Sequence, residues 1–143
     1  MLISGKSKKT ILIVDDEDIE LNRCCQILRR EGYKVLQADG YGSAVSVAEG
    51  NRRRVDLLVA DVSLPDGDAC DLALRLRDRL PNLRVLFVSG KAGAEICRFY
   101  GLEQNCLHFL RKPFTAGQLS ERVHRVMNNA EPFPYLFPKY RIA

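Results

Sequence analysis

Apolar residues fall into five short runs separated by stretches of longer period, and the alternation of the two patterns predicts the elements. Thr10–Val14 (TILIV) is a β-branched apolar run that stops at Asp15, Asp16, Glu17 and Asp18, as a buried strand ending in acid would. Leu21, Cys24, Cys25 and Leu28 then recur at i, i+3, i+4 and i+7, with Gly32 as a stop, which predicts an amphipathic helix over about residues 17–31. Further strand-like runs stand at Lys34–Ala38, Asp56–Ala60, Arg84–Val88 and Cys106–Leu110. Tyr41, Ala44, Val45 and Ala48 mark a second helix, and Ala69, Leu72, Ala73 and Leu76 a third. A fourth, around Ala94–Tyr100, has only Ile96, Cys97 and Tyr100 to form a face and is expected to be short. The fifth opens with Thr115 and Gln118 at capping-box spacing, ahead of the stripe Leu119, Val123, Val126 and Met127.

Strands that are apolar nearly throughout need cover on both faces, which helices alternating with strands supply. The predicted fold is α/β: a flavodoxin-like, doubly wound, five-stranded parallel sheet of order 2-1-3-4-5 with five helices. Residues 10–129 form the folded domain, after a flexible terminus at 1–9 and before a Pro/aromatic tail at 130–143. In that tail Pro132, Pro134 and Pro138 forbid a helix, while Phe133, Tyr135, Phe137 and Tyr140 give an extended segment an apolar side. The tail is expected to dock on this domain or on a partner's.

A length of 143 residues suits one domain, and 46% hydrophobic with 28% charged residues is ordinary for a globular chain. No stretch reaches the roughly 18 apolar residues of a membrane span, and MLISGKSKK lacks the apolar block of a secretory signal. A cytoplasmic protein without membrane contact is the expectation. The net charge of +4 is too mild and too dispersed to call for a nucleic-acid partner. The run Arg52, Arg53 and Arg54 reads as a solvated end of the second helix, where cations complement the dipole. Cys24, Cys25, Cys70, Cys97 and Cys106 include no C-x-x-C pair and read as small buried hydrophobes. His108 and His124 are isolated and receive no catalytic role.

In a doubly wound sheet a ligand binds outside the carboxyl ends of the strands, at the point where strand order reverses. Asp15 and Asp16 follow the first predicted strand, Asp61 the third, Ser89 the fourth, and Lys112 with Pro113 the fifth. With strands one and three adjacent, the three carboxylates are expected to crowd one pocket, a cluster that repels itself unless a cation sits in it. Hard oxygen ligands without His or Cys suit Mg2+, which keeps several waters and completes its shell with phosphate oxygens. Mg2+ beside Lys112 makes a phosphoryl-binding site. Gly90 is read as keeping the approach to Ser89 open, and a cis bond before Pro113 as a means of aiming Lys112 inward.

These residues, in this order and at these strand positions, resemble the receiver domain of two-component response regulators over about residues 10–129. The acidic pair in VDDED, Asp61 followed by Leu64, Pro65, Asp66 and Gly67, the Ser89-Gly90 step, and the ending Phe109-Leu110-Arg111-Lys112-Pro113 carry the resemblance together. It implies that Asp61 is the phosphoacceptor, that Asp16, Asp61 and the backbone carbonyl of Ser63 are direct Mg2+ ligands, and that Asp15 holds the metal through water. It implies Ser89 and Phe109 as a switch pair, with Ser89 turning to the phosphoryl group and Phe109 rotating into the space left behind. The stretch LEQNCLHFLR before Lys112 departs from the family pattern, which leaves the fourth helix and fifth strand less defined.

The expected function is that of a single-domain response regulator, taking phosphoryl from a sensor histidine kinase or a histidine phosphotransfer protein and catalysing no reaction beyond its own phosphorylation and dephosphorylation. Too little chain follows residue 129 for an effector domain, so output is expected through a downstream protein partner, dimerisation or onward phosphorelay. Two alternatives belong to other classes. A haloacid dehalogenase-like phosphatase also uses Asp, Mg2+, Ser or Thr and Lys, but its Asp-x-Asp-x-Thr sequence fails at two positions of Asp15-Asp16-Glu17-Asp18-Ile19. A binding-only scaffold would not need the full set Asp15, Asp16, Asp61, Ser89 and Lys112.

Overall fold

Why these segments become strands and helices follows from which faces they bury. In a computed structural model describing residues 8–51, 54–90, 93–103 and 105–136, the elements are β1 (Thr10–Val14), α1 (Asp18–Arg30), β2 (Lys34–Ala38), α2 (Tyr41–Asn51), β3 (Leu57–Asp61), β4 (Ser63–Leu64), β5 (Gly67–Asp68), α3 (Ala69–Arg79), β6 (Arg84–Ser89), α4 (Ala94–Phe99), β7 (Phe109–Arg111) and α5 (Ala116–Met127). The main sheet has the order β2-β1-β3-β6-β7, which is 2-1-3-4-5 when only its own strands are counted. Every pair in it is parallel. All of β1 is buried, as the continuous apolar run TILIV requires of a central strand.

Alternate residues of each strand feed two cores. Leu12, Val14, Leu58, Ala60, Val85 and Phe87 pack with residues of α2, α3 and α4 on one side. Ile11, Ile13, Leu57, Val59, Leu86 and Val88 pack with Leu21, Cys24, Cys25 and Leu28 of α1 and with Leu119, Val123 and Val126 of α5 on the other. The stripe read from the first helix is therefore the face it buries. The capping box of α5 is complete, with Thr115 Oγ1 accepting from Gln118 N at 3.1 Å and Gln118 Oε1 accepting from Thr115 N at 2.8 Å.

Several boundaries move for identifiable reasons. Residues Glu17 and Glu31 flank α1 as caps rather than belonging to it. Asp56 precedes β3, its Oδ2 accepting from Thr10 N at 2.7 Å. The fifth sheet strand starts at Phe109 instead of Cys106, because the preceding residues are taken up in turns: Cys106 N donates to Glu103 O and Phe109 N to Cys106 O, both at 3.2 Å. The antiparallel pair β4–β5, which brackets Pro65 and Asp66, has no counterpart in the predicted elements. Helix α4 is short, at six residues.

Of the arginine run, Arg54 is exposed and Arg52 and Arg53 lie outside the described residues. Four of the cysteines are buried, Cys106 is half-buried, and all are free thiols. Burial pushes the Cys24 thiol up to about 12 and the Cys97 thiol up to about 11. Among the described residues no helix is long and apolar enough to cross a membrane.

The tail up to Leu136 lies against the domain. Phe133 and Leu136 are buried in the same core as Phe109, Tyr100 and Cys97. The Arg77 guanidinium stands over the Phe133 ring, 4.5 Å from its centroid. Arg84 ties down the chain before it, donating to the carbonyls of Val126 at 2.9 Å and Asn129 at 2.7 Å. Phe137, Pro138 and Tyr140 lie outside the described residues, as do residues 1–7.

Candidate functional site

The carboxyl ends of β1, β3, β6 and β7 bring Asp15, Asp61, Ser89 and Lys112 to one edge of the sheet. Asp15 directly follows β1, Asp61 and Ser89 are the last residues of β3 and β6, and Lys112 follows β7. The Lys112 ammonium is the meeting point. Its Nζ donates to Asp15 Oδ2 at 3.0 Å and to Asp61 Oδ2 at 2.6 Å. Each remaining oxygen is held by the backbone two residues on, Asp15 Oδ1 accepting from Glu17 N and Asp61 Oδ1 from Ser63 N, both at 2.9 Å. The peptide bond between Lys112 and Pro113 is cis, and Lys112 N donates to Ser89 O at 2.9 Å, joining the last two strand ends.

Burial pushes the Asp61 carboxyl above the usual carboxylate range, against the lowering pull of Lys112 and the Ser63 amide. For Lys112 burial works toward a lower value, but the two carboxylates outweigh it and hold the ammonium firmly protonated. Asp15 is 5% exposed, whereas Asp16 is exposed. Two carboxylates rather than three therefore converge, with Asp16 at the solvent rim. Among the described residues no three His, Cys, Asp or Glu side chains form a cage. Asp15 is drawn in by Lys112, whereas its neighbour Asp16 takes no part in that pairing and keeps an exposed carboxylate. The oxygen-only donors fit Mg2+ nonetheless, since this ion is commonly bound by one or two carboxylates with waters and phosphate oxygens completing its shell.

Ser89 is 1% exposed, and its Oγ donates to Gly90 O at 2.8 Å rather than to either carboxylate. A Cβ at Gly90, which is read as keeping the approach to Ser89 open, would meet nothing within 4 Å. The tight place is Gly93, where a Cβ would overlap Ser89 Oγ. Phe109 is 4% exposed and already packed in the core.

His108 and His124 stay apart from this site. His108 is buried, and its Nδ1 lies 2.9 Å from Val85 O, so that nitrogen carries the proton. His124 is exposed on α5. The contact of Gly93 with Ser89 and that of Asp66 with the start of α2 are not foreseen from the sequence. Their signal, a glycine or aspartate in a loop, is too common to point to a particular contact.

The family model of the response regulator receiver domain matches residues 11–124. This chain belongs to that family. It is 33% identical over 118 residues to the probable transcriptional regulatory protein TcrX of Mycobacterium tuberculosis, covering 82% of this chain and 49% of the relative. It is 31% identical to the sensor kinase CckA of Brucella abortus over 90% of this chain and 13% of CckA. Among solved structures, the non-phosphorylated HemR receiver domain of Leptospira biflexa matches with a TM-score of 0.71 at 31% identity, covering 87% of this chain and 98% of that domain. The chain thus spans about half the length of TcrX and a small part of CckA. Receiver domains are signalling domains of two-component systems, and phosphorylation and Mg2+ are typical of the family.

Proposed function

We propose that Asp61 accepts a phosphoryl group from a sensor histidine kinase or a histidine phosphotransfer protein, in a cytoplasmic switch that requires Mg2+. The observation that carries this reading is the position of Lys112 Nζ, within 2.6 Å of Asp61 and 3.0 Å of Asp15. It puts a permanent positive charge where an incoming phosphoryl oxygen needs one. An Asp61 carboxylate oxygen attacks phosphorus as the bond from phosphorus to the donor imidazole nitrogen breaks, and the electron pair leaves with the imidazole. Lys112 follows the departing negative charge from the carboxylate to the phosphoryl oxygens. Asp15, Asp16, Asp61 and the Ser63 carbonyl would hold Mg2+, which when bound adds further positive charge to those oxygens.

Ser89 and Phe109 form the switch pair in this reading. The Ser89 hydroxyl exchanges its bond to the Gly90 carbonyl for one to a phosphoryl oxygen, and Phe109 repacks with the loop that follows β6. A hydrogen bond available in only one state is the differential interaction that shifts a two-state equilibrium. Output then passes through protein contacts or onward phosphorelay, and the only chemistry catalysed is the domain's own phosphorylation and dephosphorylation.

The test is incubation with acetyl phosphate and Mg2+, read by intact mass. Wild type gains one phosphoryl group, while Asp61→Asn gains none and chelation of Mg2+ abolishes the gain. A wild-type protein that stays unmodified with acetyl phosphate and with a panel of phosphorylated histidine kinases would overturn the proposal in favour of a binding-only scaffold.

A further inference from the structure

The loop that leaves Asp61 is anchored to the start of α2. The first helical amides of α2, those of Tyr41 and Gly42, are taken by a residue more than twenty positions away. Tyr41 N donates to Asp66 Oδ1 at 2.7 Å and Gly42 N to Asp66 Oδ2 at 3.0 Å. A Cβ at Gly40 would stand 2.9 Å from Asp66 Oδ1, and one at Gly67 would stand 2.7 Å from the Tyr41 ring. The fit therefore requires small residues on both sides. Tyr41 is itself fixed, its hydroxyl donating to Asp71 Oδ2 at 2.6 Å. Two residues beyond Asp66, Asp68 accepts from Asp71 N at 2.7 Å and from the Tyr100 hydroxyl at 3.3 Å.

Asp66 is exposed, in the segment between β4 and β5, and takes no part in the reaction proposed above. The segment it anchors begins with Ser63, whose amide donates to Asp61 Oδ1. The β4–β5 pair is only two residues long on each side, too short to hold its own shape in water. The near end of the segment is held by the sheet, Val62 N donating to Val88 O at 2.9 Å, and Asp66 supplies the tie at its exposed tip.

We infer that Asp66 is a positioning residue: by clamping the loop onto the start of α2 it fixes Ser63, and through Ser63 the direction of Asp61 and of the carbonyl assigned to Mg2+. This inference rests on Asp61 being the phosphoacceptor. Removing the clamp lets Ser63 and Asp61 move, so Mg2+ binding loses preorganisation without losing a ligand.

The experiment measures Mg2+ dissociation constants by calorimetry and amide exchange over Ser63–Asp68, in wild type, Asp66→Ala, Asp66→Asn and Ser43→Ala. Ser43 Oγ accepts from Gly40 N at 3.1 Å and from Asp39 N at 3.2 Å, so its removal weakens the same helix start without releasing the loop. Asp66→Ala is expected to weaken Mg2+ about three- to tenfold, at or below the lower end of the roughly 10–100-fold seen when an outer-shell partner of a ligand is lost. It also speeds exchange in the loop. Asp66→Asn, which keeps one oxygen acceptor, recovers most of the affinity, and Ser43→Ala stays within about twofold of wild type by the same reasoning. Wild-type affinity in Asp66→Ala, or an equal loss in Ser43→Ala, overturns the positioning role alone. A wild type that neither binds Mg2+ nor takes phosphoryl from acetyl phosphate overturns the phosphoacceptor reading, and the positioning role falls with it.

Discussion

The ammonium of Lys112 stands between two carboxylates that would otherwise face each other across the ends of β1 and β3. That arrangement was legible in the sequence because strand ends converge in a parallel sheet, and Asp15, Asp61 and Lys112 each sit where an apolar run stops. Gly93 against Ser89 and Asp66 on α2 were not legible, because those contacts depend on the path of a loop rather than on a period. His108 shows a related limit. In the sequence it is an isolated histidine within CLHFL, and the structure adds the partner: a buried imidazole bonded to the Val85 carbonyl. Burial holds its pKa below the ordinary 6.5, outweighing the Val85 carbonyl and Glu131. A histidine with a depressed folded-state value binds its proton more readily when unfolded, so stability is full above the unfolded value. It falls as pH drops through 6.5 toward the folded one. Urea midpoints at pH 7 and pH 5 are expected to fall further for wild type than for His108→Gln, whose amide still donates to the carbonyl but does not titrate here. Equal falls would remove His108 from the acid sensitivity.

At the scale of elements, the strands and long helices follow from their burial, whereas the chain between α4 and β7 does not. The residues from Gly101 to His108 lack a clear period, and turns replace the expected start of the strand. The tail behaves differently, because its apolar residues report a real surface for them to cover. Phe133 and Leu136 are 8% and 7% exposed, and Arg77 covers the Phe133 ring. Burying two such side chains contributes about 3–6 kcal/mol gross. The conformational entropy lost in ordering the extended segment opposes that gain, so only a fraction of it is net. Truncation after Ala130 is therefore expected to cost about 1–3 kcal/mol, since the net must be favourable for the segment to stay packed. The loss should appear as a lower urea midpoint. A truncated protein with the full-length midpoint would show that the tail contributes nothing to the fold.

For the whole molecule, the sheet separates two cores that meet the phosphoryl site differently. The side built on α1 and α5 contains no residue of the proposed switch pair. The other side holds Phe109 together with Cys97, Tyr100 and Leu102, and the same core takes in Phe133 and Leu136 of the tail. Ser89 presses on this side too, since Gly93, just ahead of α4, has room only for hydrogen where Ser89 Oγ lies. If Ser89 turns to a phosphoryl group on Asp61, the loop before α4 is freed from that contact and Phe109 repacks. A close-packed core passes such a change to its other members, because interiors have few voids to absorb it. The tail meets this core through Phe133 and Leu136. Phosphorylation is therefore expected to raise amide exchange in residues 131–136 and in α4, while α1 and α5 keep their protection. Hydrogen exchange of the phosphorylated protein against Asp61→Asn under the same conditions tests this. Equal changes on both faces of the sheet would mean that the signal is not confined to the core containing Phe109, and unchanged exchange in the tail would mean that the segment does not respond to the switch.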